Sequence, residues 1–294
     1  MSLRDTLRGT GVALITPFDH RHEVDFEALG KVIEFVLHNG VEYLVTLGTT
    51  GETPTLDKSE KLDIINYTYE KAGNTPVVVG IGGNNTREIL NDLETYPLQK
   101  AAAILSTSPY YNKPSQQGIF SHYKMIADAA PRPVILYNVP GRTGINIAAE
   151  TTIRLANECD NVLGIKEAGG NMVQCMHVLK NRPAEFLVTS GDDHLALPLI
   201  AAGMDGVISV AANCFPKNFT EMIRLCLQNE FHAAKGFLYK LLEGFDLLFE
   251  ENNPAGVKAF LAEMGLIENY VRMPLVPLSE KVHLKLKNYL KSLN

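Results

Sequence analysis

The chain has 294 residues, of which 46% are hydrophobic and 20% are charged, and its formal net charge is −6. This composition is typical of a folded globular protein and excludes a long disordered chain, which would be poorer in apolar residues. No run of Lys or Arg could follow a phosphate backbone, so nucleic acid is not an expected partner.

The opening segment and the cysteines predict a cytoplasmic protein. Charges at Arg4, Asp5 and Arg8 interrupt the first residues, and no apolar stretch ends in a small-residue cleavage site, so no secretory signal is expected. The longest apolar region, 195–214, is broken by Pro and Gly and is not expected to span a membrane. The four cysteines show no zinc-site spacing, which favours reduced thiols.

The most informative pattern is a repeated unit, in which a short apolar run ends in small or polar residues and an amphipathic helical stretch follows. Such runs recur at intervals of roughly 20 to 35 residues, long enough for a crossover helix between parallel strands. The eight runs are Gly11–Pro17, Tyr43–Gly48, Pro76–Gly82, Ala102–Ser106, Pro133–Asn138, Val162–Lys166, Phe186–Ser190 and Gly206–Ala211.

Eight such units predict an α/β fold, a (β/α)8 TIM barrel. A doubly wound open sheet is the alternative that periodicity alone leaves open, although no G-x-G-x-x-G turn follows the first run. The strand pattern stops near Asn218, and three helical segments follow at 219–228, 231–249 and 253–266. We therefore predict a catalytic barrel over 1–217 and a C-terminal helical region over 218–294, the latter for packing or oligomer contacts.

Active sites of such barrels lie at the carboxyl ends of the strands, and Lys166 falls at one of these ends. It closes the apolar run VLGIK, where an ammonium would be poorly solvated and a free amine favoured. Such an amine can attack a ketone to form an iminium, which acts as an electron sink. The alternative is a structural lysine neutralised by a carboxylate such as Glu167, although strand alternation sends Glu167 to the opposite face.

Hydroxyl and guanidinium groups follow the other strands. Forming an iminium requires proton transfers, which hydroxyls of Tyr137, Thr49, Thr50 and Tyr111 could relay. Taken singly, each tyrosine is better explained as a packing residue with a satisfied hydroxyl. Arg142 follows a Pro-Gly turn, where its planar fork suits a substrate carboxylate, although a solvated surface arginine is the alternative.

Nearly the whole chain resembles the dihydrodipicolinate synthase family of pyruvate-dependent aldolases. The motifs that carry the resemblance are, in order, GTGVALITPF, GTTGE, SPYYNKPSQQG, YNVPGRTG, GIKEA, SGDD, GVISVAAN, NPAGVKAFLAEMGL and RMPLVPL. The resemblance implies a lyase of diaminopimelate and lysine biosynthesis that condenses pyruvate with L-aspartate 4-semialdehyde and needs no cofactor.

The resemblance also implies a role for each site residue. Lys166 would form the Schiff base with pyruvate, and Tyr137 would transfer protons beside it, with Thr49 and Tyr111 as the other members of the relay. Arg142 matches the arginine that receives the carboxylate of the aldehyde. The full set of expected substrate-binding residues is Thr50, Arg142, Ile208 and Gly191.

Family members assemble as tight dimers, usually paired into a tetramer, and their second relay tyrosine reaches into the neighbouring active site. The resemblance therefore implies a homotetramer, a dimer of dimers, in which Tyr111 serves the partner subunit.

Many family members are inhibited by L-lysine at the dimer interface, and the matching positions here are mixed. Asn84, Glu88 and Tyr110 fit an allosteric lysine site, but Lys58 and Lys61 stand where lysine-sensitive members have histidines. Two cations beside a cationic effector would repel it, so inhibition by lysine is not expected.

Other functions remain open. A related aldolase such as N-acetylneuraminate lyase would share the Schiff base, but Arg142 and the Thr49-Thr50 pair favour the synthase. A non-catalytic metabolite-binding homologue would be expected to have lost Lys166 or a relay hydroxyl.

A metal-dependent aldolase would need His and carboxylate ligands near the strand ends. Only the run Asp192, Asp193 and His194 comes close, and it is more readily a capping and loop-ordering cluster. No metal site is predicted.

Overall fold

The computed structural model describes residues 2–293, and its eight parallel strands close into a barrel in chain order. Each strand pairs with the next, and the eighth pairs with the first. The strands are β1 Gly9–Ala13, β2 Tyr43–Thr46, β3 Val77–Gly80, β4 Ala103–Thr107, β5 Val134–Asn138, β6 Val162–Glu167, β7 Leu187–Ser190 and β8 Gly206–Ser209. Every predicted run overlaps one strand, so the (β/α)8 barrel is confirmed and the open sheet is excluded.

The first strand begins two residues before the predicted run and ends four residues before its end. It begins early because the amide of Gly9 donates to the carbonyl of Asp205, which extends the pairing with β8. Beyond Ala13 the ladder ends with one more bond, from the amide of Leu14 to the carbonyl of Val45 at 3.0 Å, and Leu14 and Ile15 stay buried. The apolar character of Leu14 and Ile15 therefore reflects their burial in the core around the barrel and does not mark a longer strand.

Several of the helices between the strands begin at polar side chains that cap them. The side chain of Asp57, for example, accepts a hydrogen bond from the amide of Glu60, and the amide of Asp57 donates to the Glu60 carboxylate, which completes a capping box. The helices are α1 Leu3–Thr6, α2 Phe26–His38, α3 Lys58–Ala72, α4 Thr86–Thr95, α5 Gln116–Ala129, α6 Pro140–Thr143, α7 Ala149–Glu158, α8 Met172–Asn181, α9 Ala196–Ala201, α10 Pro216–Leu227, α11 Phe231–Phe249, α12 Ala255–Glu263 and α13 Glu280–Leu293.

The barrel interior is filled by side chains and is closed below the site. Tyr43 is fully buried there, and a Cβ on Gly11 would come 2.1 Å from its ring. Glycine at position 11 therefore makes room for the aromatic ring, which packs with Val45, Ile135 and Leu187. This filled interior confines open space to the carboxyl ends of the strands.

Within residues 216–293 the C-terminal region contains four helices where the sequence predicted three. The additional helix, α13, carries buried Val282, Leu286 and Tyr289 at helical spacing, and it packs against α11 and α12. Helix α10 packs against β1 and β8 as the eighth helix of the barrel and straddles the predicted division between 217 and 218. Within 2–293 no helix is long and apolar enough to cross a membrane.

Candidate active site

A cavity of about 500 Å³ opens at the carboxyl ends of the strands. Its walls include residues from the ends of β2, β5, β6 and β7, together with residues of the C-terminal region. This is the position in which barrel enzymes carry their active sites. Of the sequence-predicted residues, the cavity brings together Lys166, Tyr137, Thr49, Thr50, Arg142 and Gly191.

Lys166 and Tyr137 lie side by side on β6 and β5, where they are register partners. Lys166 is only 5% exposed, and its Nζ lies 4.3 Å from the centroid of the Tyr137 ring. This contact places an amine and a phenol on the same wall of the cavity. Both groups that a Schiff-base mechanism needs first are therefore adjacent and nearly withdrawn from solvent.

Glu167 points away from the cavity, as strand alternation predicts. Its carboxylate accepts hydrogen bonds from Asn138 (2.9 Å), Gln174 (3.0 Å) and the amide of Gly169 (2.9 Å). Burial raises the pKa of Glu167, and these donors oppose that effect. Because the carboxylate is committed to the outer side of the sheet, it does not neutralise Lys166.

Gly191 leaves room for the Lys166 side chain at the end of β7. A Cβ at this position would lie 2.7 Å from the Lys166 Cε and 2.6 Å from the Ala168 Cβ. The amide of Gly191 also donates to the carbonyl of Glu167 at 2.7 Å. Only glycine fits between the two strand ends without moving the lysine.

Thr49 and Thr50 lie in a single 3₁₀ turn, Thr49–Gly51, after β2. The turn is held from the barrel side, because the hydroxyl of Thr16 donates to the carbonyl of Gly51 at 2.8 Å. Thr50 is buried, and its hydroxyl accepts a hydrogen bond from the side-chain amide of Asn253 at 3.1 Å. The turn presents both threonines to the cavity.

Arg142 lies on the short helix α6 and is exposed at the mouth of the cavity. Its guanidinium donates to the carbonyl of Asn253 at 3.2 Å. One terminal nitrogen of the guanidinium is thus oriented by the backbone, which leaves the other N–H donors available to a carboxylate.

Two predicted residues do not line the cavity of their own chain. Tyr111 is 88% exposed and has φ 70°, a left-handed conformation that few non-glycine residues adopt. Ile208 lies within the barrel interior, one layer below, and Val210 at the end of the same segment contacts the cavity instead.

Sequence reasoning missed the contribution of the C-terminal region. Phe249, Asn252 and Asn253 line the cavity, and Asn253 contacts both Thr50 and Arg142. The local signal in the sequence was the polar run EENN between two apolar helical stretches, and the apolar pattern that marks those helices does not include it.

Asp192, Asp193 and His194 also line the cavity. Asp192 orders its own loop by accepting from the amide of His194, and Asp193 ties this loop to the segment after β8 by accepting from the amides of Val210 and Ala211. The neighbouring Asp192, and then Asp246, raise the pKa of His194 to about 8. Among residues 2–293, no three His, Cys, Asp or Glu side chains are grouped so that they could hold a metal ion.

The predicted effector residues lie outside the cavity. The side chain of Asn112, next to Tyr110 and Tyr111, donates to the carbonyl of Asn84 at 3.2 Å.

Between helices α3 and α4, Lys58 forms a long ion pair of 3.9 Å with Asp92. Burial raises the pKa of Asp92, and the charges of Lys58 and Lys61 oppose this effect while that of Glu88 adds to it. Lys58 and Lys61 are therefore close enough to Asp92 and Glu88 to compensate part of their negative charge.

Comparison with known proteins agrees with this geometry. The model of the dihydrodipicolinate synthetase family matches residues 6–293. The 4-hydroxy-tetrahydrodipicolinate synthase of Parabacteroides distasonis is 50% identical over 98% of this chain and 97% of its own length, and that of Flavobacterium psychrophilum is 49% identical over 97% and 98%.

Solved structures give the same result. The dihydrodipicolinate synthase of Thermotoga maritima matches with a TM-score of 0.95 and 40% identity, over 98% of each chain. That of Aquifex aeolicus matches with a TM-score of 0.94 and 41% identity, also over 98% of each chain. The chain belongs to the dihydrodipicolinate synthetase family.

Proposed function

We propose that the protein catalyses the 4-hydroxy-tetrahydrodipicolinate synthase reaction, the condensation of pyruvate with L-aspartate 4-semialdehyde in diaminopimelate and lysine biosynthesis. The observation that carries this proposal is the adjacency of Lys166 and Tyr137 in one cavity with the Thr49–Gly51 turn and Arg142. Relatives about 50% identical over nearly their whole length bear the name of this enzyme.

Lys166 begins the reaction. Its amine attacks the ketone carbon of pyruvate, and the carbinolamine loses water to give an iminium. The iminium withdraws electrons from the adjacent methyl carbon, which loses a proton and becomes an enamine. Tyr137, next to the amine, gives and takes the protons of these steps, with Thr49 and the Tyr111 of a neighbouring subunit completing the relay.

The enamine carbon then attacks the aldehyde carbon of the second substrate, and a new carbon–carbon bond forms. The amine of that substrate adds to the iminium carbon, closes the ring and releases Lys166. These steps require no cofactor. Thr50, the backbone near Gly191 and the segment from Ile208 to Val210, whose end reaches the cavity, hold the pyruvate, and Arg142 receives the carboxylate of the semialdehyde through its planar fork.

The exposure of Tyr111 supports an assembled enzyme. In its present conformation Tyr111 is 88% exposed and does not line its own cavity, but it would be covered where a second copy packs against it. We propose a cytoplasmic homotetramer formed from two such dimers, and no inhibition by L-lysine, since Lys58 and Lys61 stand beside the matching effector positions.

The test is product formation from pyruvate with either L-aspartate 4-semialdehyde or N-acetylmannosamine, the former coupled to the reductase that consumes the product. Turnover with the semialdehyde alone is expected. Turnover with the sugar alone would assign the protein to the lyase branch of the superfamily. Turnover with neither aldehyde would contradict the proposal.

A further inference from the structure

Glu52 and Lys258 form an ion pair from which solvent is fully excluded, as both side chains are 0% exposed. The Nζ of Lys258 also donates to the carbonyl of Tyr270 at 3.0 Å and lies 3.9 Å from the centroid of the Phe18 ring. A carboxylate, a carbonyl and an aromatic face thus surround one ammonium. Burial nevertheless lowers the pKa of Lys258 to about 8, and the charge of Glu52 opposes this effect.

Buried ion pairs are weak sources of stability, because desolvation of two charges offsets their attraction. A buried pair with fixed geometry instead holds the two chain segments that carry its members in fixed positions.

One end of the pair holds the threonine turn. Glu52 is the residue that closes the turn Thr49–Gly51, and its amide donates to the carbonyl of Thr49 at 3.2 Å. Its backbone is left-handed, with φ 54°. A glutamate persists in this conformation only where its surroundings impose it. Here the second carboxylate oxygen accepts from the amide of Arg272 at 3.0 Å, so the side chain is held on both sides.

The other end of the pair belongs to the segment that contacts the cavity. Lys258 lies in the first turns of α12, and its amide donates to the carbonyl of Pro254 at 2.9 Å. The residue before Pro254 is Asn253, which donates to the Thr50 hydroxyl and accepts from Arg142. The C-terminal region thus contacts the threonine turn twice, directly at Thr50 and through the ion pair at Glu52.

We infer that the Glu52–Lys258 pair positions the Thr49–Gly51 turn for the carboxylate of pyruvate, which makes both members positioning residues of the reaction. The inference rests on the proposed function. Neither side chain lines the cavity, so neither touches substrate. Their effect is on where the hydroxyl of Thr50 and the amides of the turn stand when pyruvate binds.

Two variants separate positioning from stability. Glu52→Gln keeps the shape of the side chain and removes its charge. The double variant Glu52→Gln with Lys258→Met removes both charges, and so leaves no unpaired buried charge to destabilise the fold. The matched control is Glu263→Gln in α12, which loses contacts to His283 and Lys287 at the surface, away from the turn.

Steady-state kinetics and thermal denaturation are measured for all four proteins. We expect Glu52→Gln to fold and to raise the KM for pyruvate about tenfold, the loss expected when a hydrogen bond to a charged group is weakened. The double variant should show the same rise in KM with a Tm close to that of the wild type, and borohydride should still trap pyruvate on Lys166 at saturating pyruvate. Glu263→Gln should leave the KM unchanged.

A KM for pyruvate within twofold of the wild-type value in Glu52→Gln would overturn the inference and leave the pair a structural feature. Wild-type protein in the same assay keeps the two proposals apart. Absence of wild-type turnover refutes the proposed function, whereas normal wild-type turnover with an unchanged KM in the variant refutes only the positioning role.

Discussion

Gly191 lies against Lys166 so closely that a single methyl group at position 191 would stand 2.7 Å from the Lys166 Cε. The prediction is that Gly191→Ala displaces the amine and lowers kcat/KM for pyruvate by about 100-fold, since a misplacement of about 1 Å has that effect in oriented reactions. The fold should survive, because one added methylene in a packed site costs about 1–3 kcal/mol.

The matched control is Gly236→Ala on α11, where a Cβ would meet no described atom within 4 Å. It should leave kcat/KM unchanged and stabilise the helix by about 0.5–1 kcal/mol. Wild-type kcat/KM in Gly191→Ala would show that the lysine has room to move and that the contact does not constrain it.

Lys166 is predicted to be the residue that sodium borohydride modifies in the presence of pyruvate. Reduction of the iminium fixes the substrate to the amine, so incubation with labelled pyruvate should label the wild-type protein. Lys166→Ala should carry no label. The control is Lys180→Ala, which replaces an exposed lysine and should be labelled like the wild type. Labelling of Lys166→Ala at wild-type stoichiometry would remove Lys166 from its assigned role.

Tyr111 is predicted to act in the active site of the neighbouring subunit. Tyr111→Phe should lower kcat by about 100-fold, the usual contribution of a proton-transfer group. Refolding it together with equal amounts of Lys166→Ala should restore about a quarter of wild-type turnover, because half of the dimers are mixed and each of those has one complete site.

The corresponding control is refolding of either variant alone, which should restore nothing. If the mixture is no more active than its parts, Tyr111 acts within its own chain, and the exposed conformation would have to change before catalysis.

His122 is predicted to destabilise the protein in acid. Burial lowers its pKa to about 4, and its Nε2 has no hydrogen-bond partner among residues 2–293. The unfolded chain binds a proton at this histidine near pH 6.5, whereas the folded chain does not. The free energy of unfolding therefore keeps its full value above pH 6.5 and falls as the pH drops toward 4. From pH 7 to pH 4 this amounts to a loss on the order of 3 kcal/mol.

Urea denaturation across this range measures the effect. His122→Asn preserves a polar atom for the Thr86 hydroxyl, which contacts His122 Nδ1 at 2.8 Å, and should show a smaller loss of stability on acidification than the wild type. Identical pH profiles for the two proteins would mean that His122 does not titrate as its burial predicts.

His194 is predicted to contribute in the opposite direction. Contacts with Asp192, and then with Asp246, raise its pKa to about 8. The folded protein therefore holds the proton more tightly than the unfolded chain, and the stabilisation is present in full below pH 6.5 and lost as the pH rises through about 8. NMR titration should show the pKa of His194 falling in Asp246→Asn, with His194→Gln identifying the resonance. An unchanged pKa would leave Asp192 as the sole cause.

The barrel could be predicted from sequence because its information is local and repeated. Each strand that is buried on both faces requires a continuous apolar run, and each crossover helix requires an amphipathic stretch. Eight such units therefore predict the fold without any knowledge of the contacts between them. The same alternation placed Lys166 and Glu167 on opposite faces of β6. The fourth C-terminal helix could have been predicted in the same way, since Val282, Leu286 and Tyr289 follow helical spacing. The charged residues between them made this apolar spacing difficult to recognise.

By itself, then, the sequence determined the fold class, the strand ends that carry Lys166 and Tyr137, the turn that carries Arg142, and the resemblance from which their roles are proposed. Only the tertiary structure decided what surrounds them. Asn253 reaches Thr50 across 203 positions of the chain, and Lys258 meets Glu52 from the same distant segment. No periodicity links residues so far apart, because their contact depends on how the C-terminal helices pack over the completed barrel.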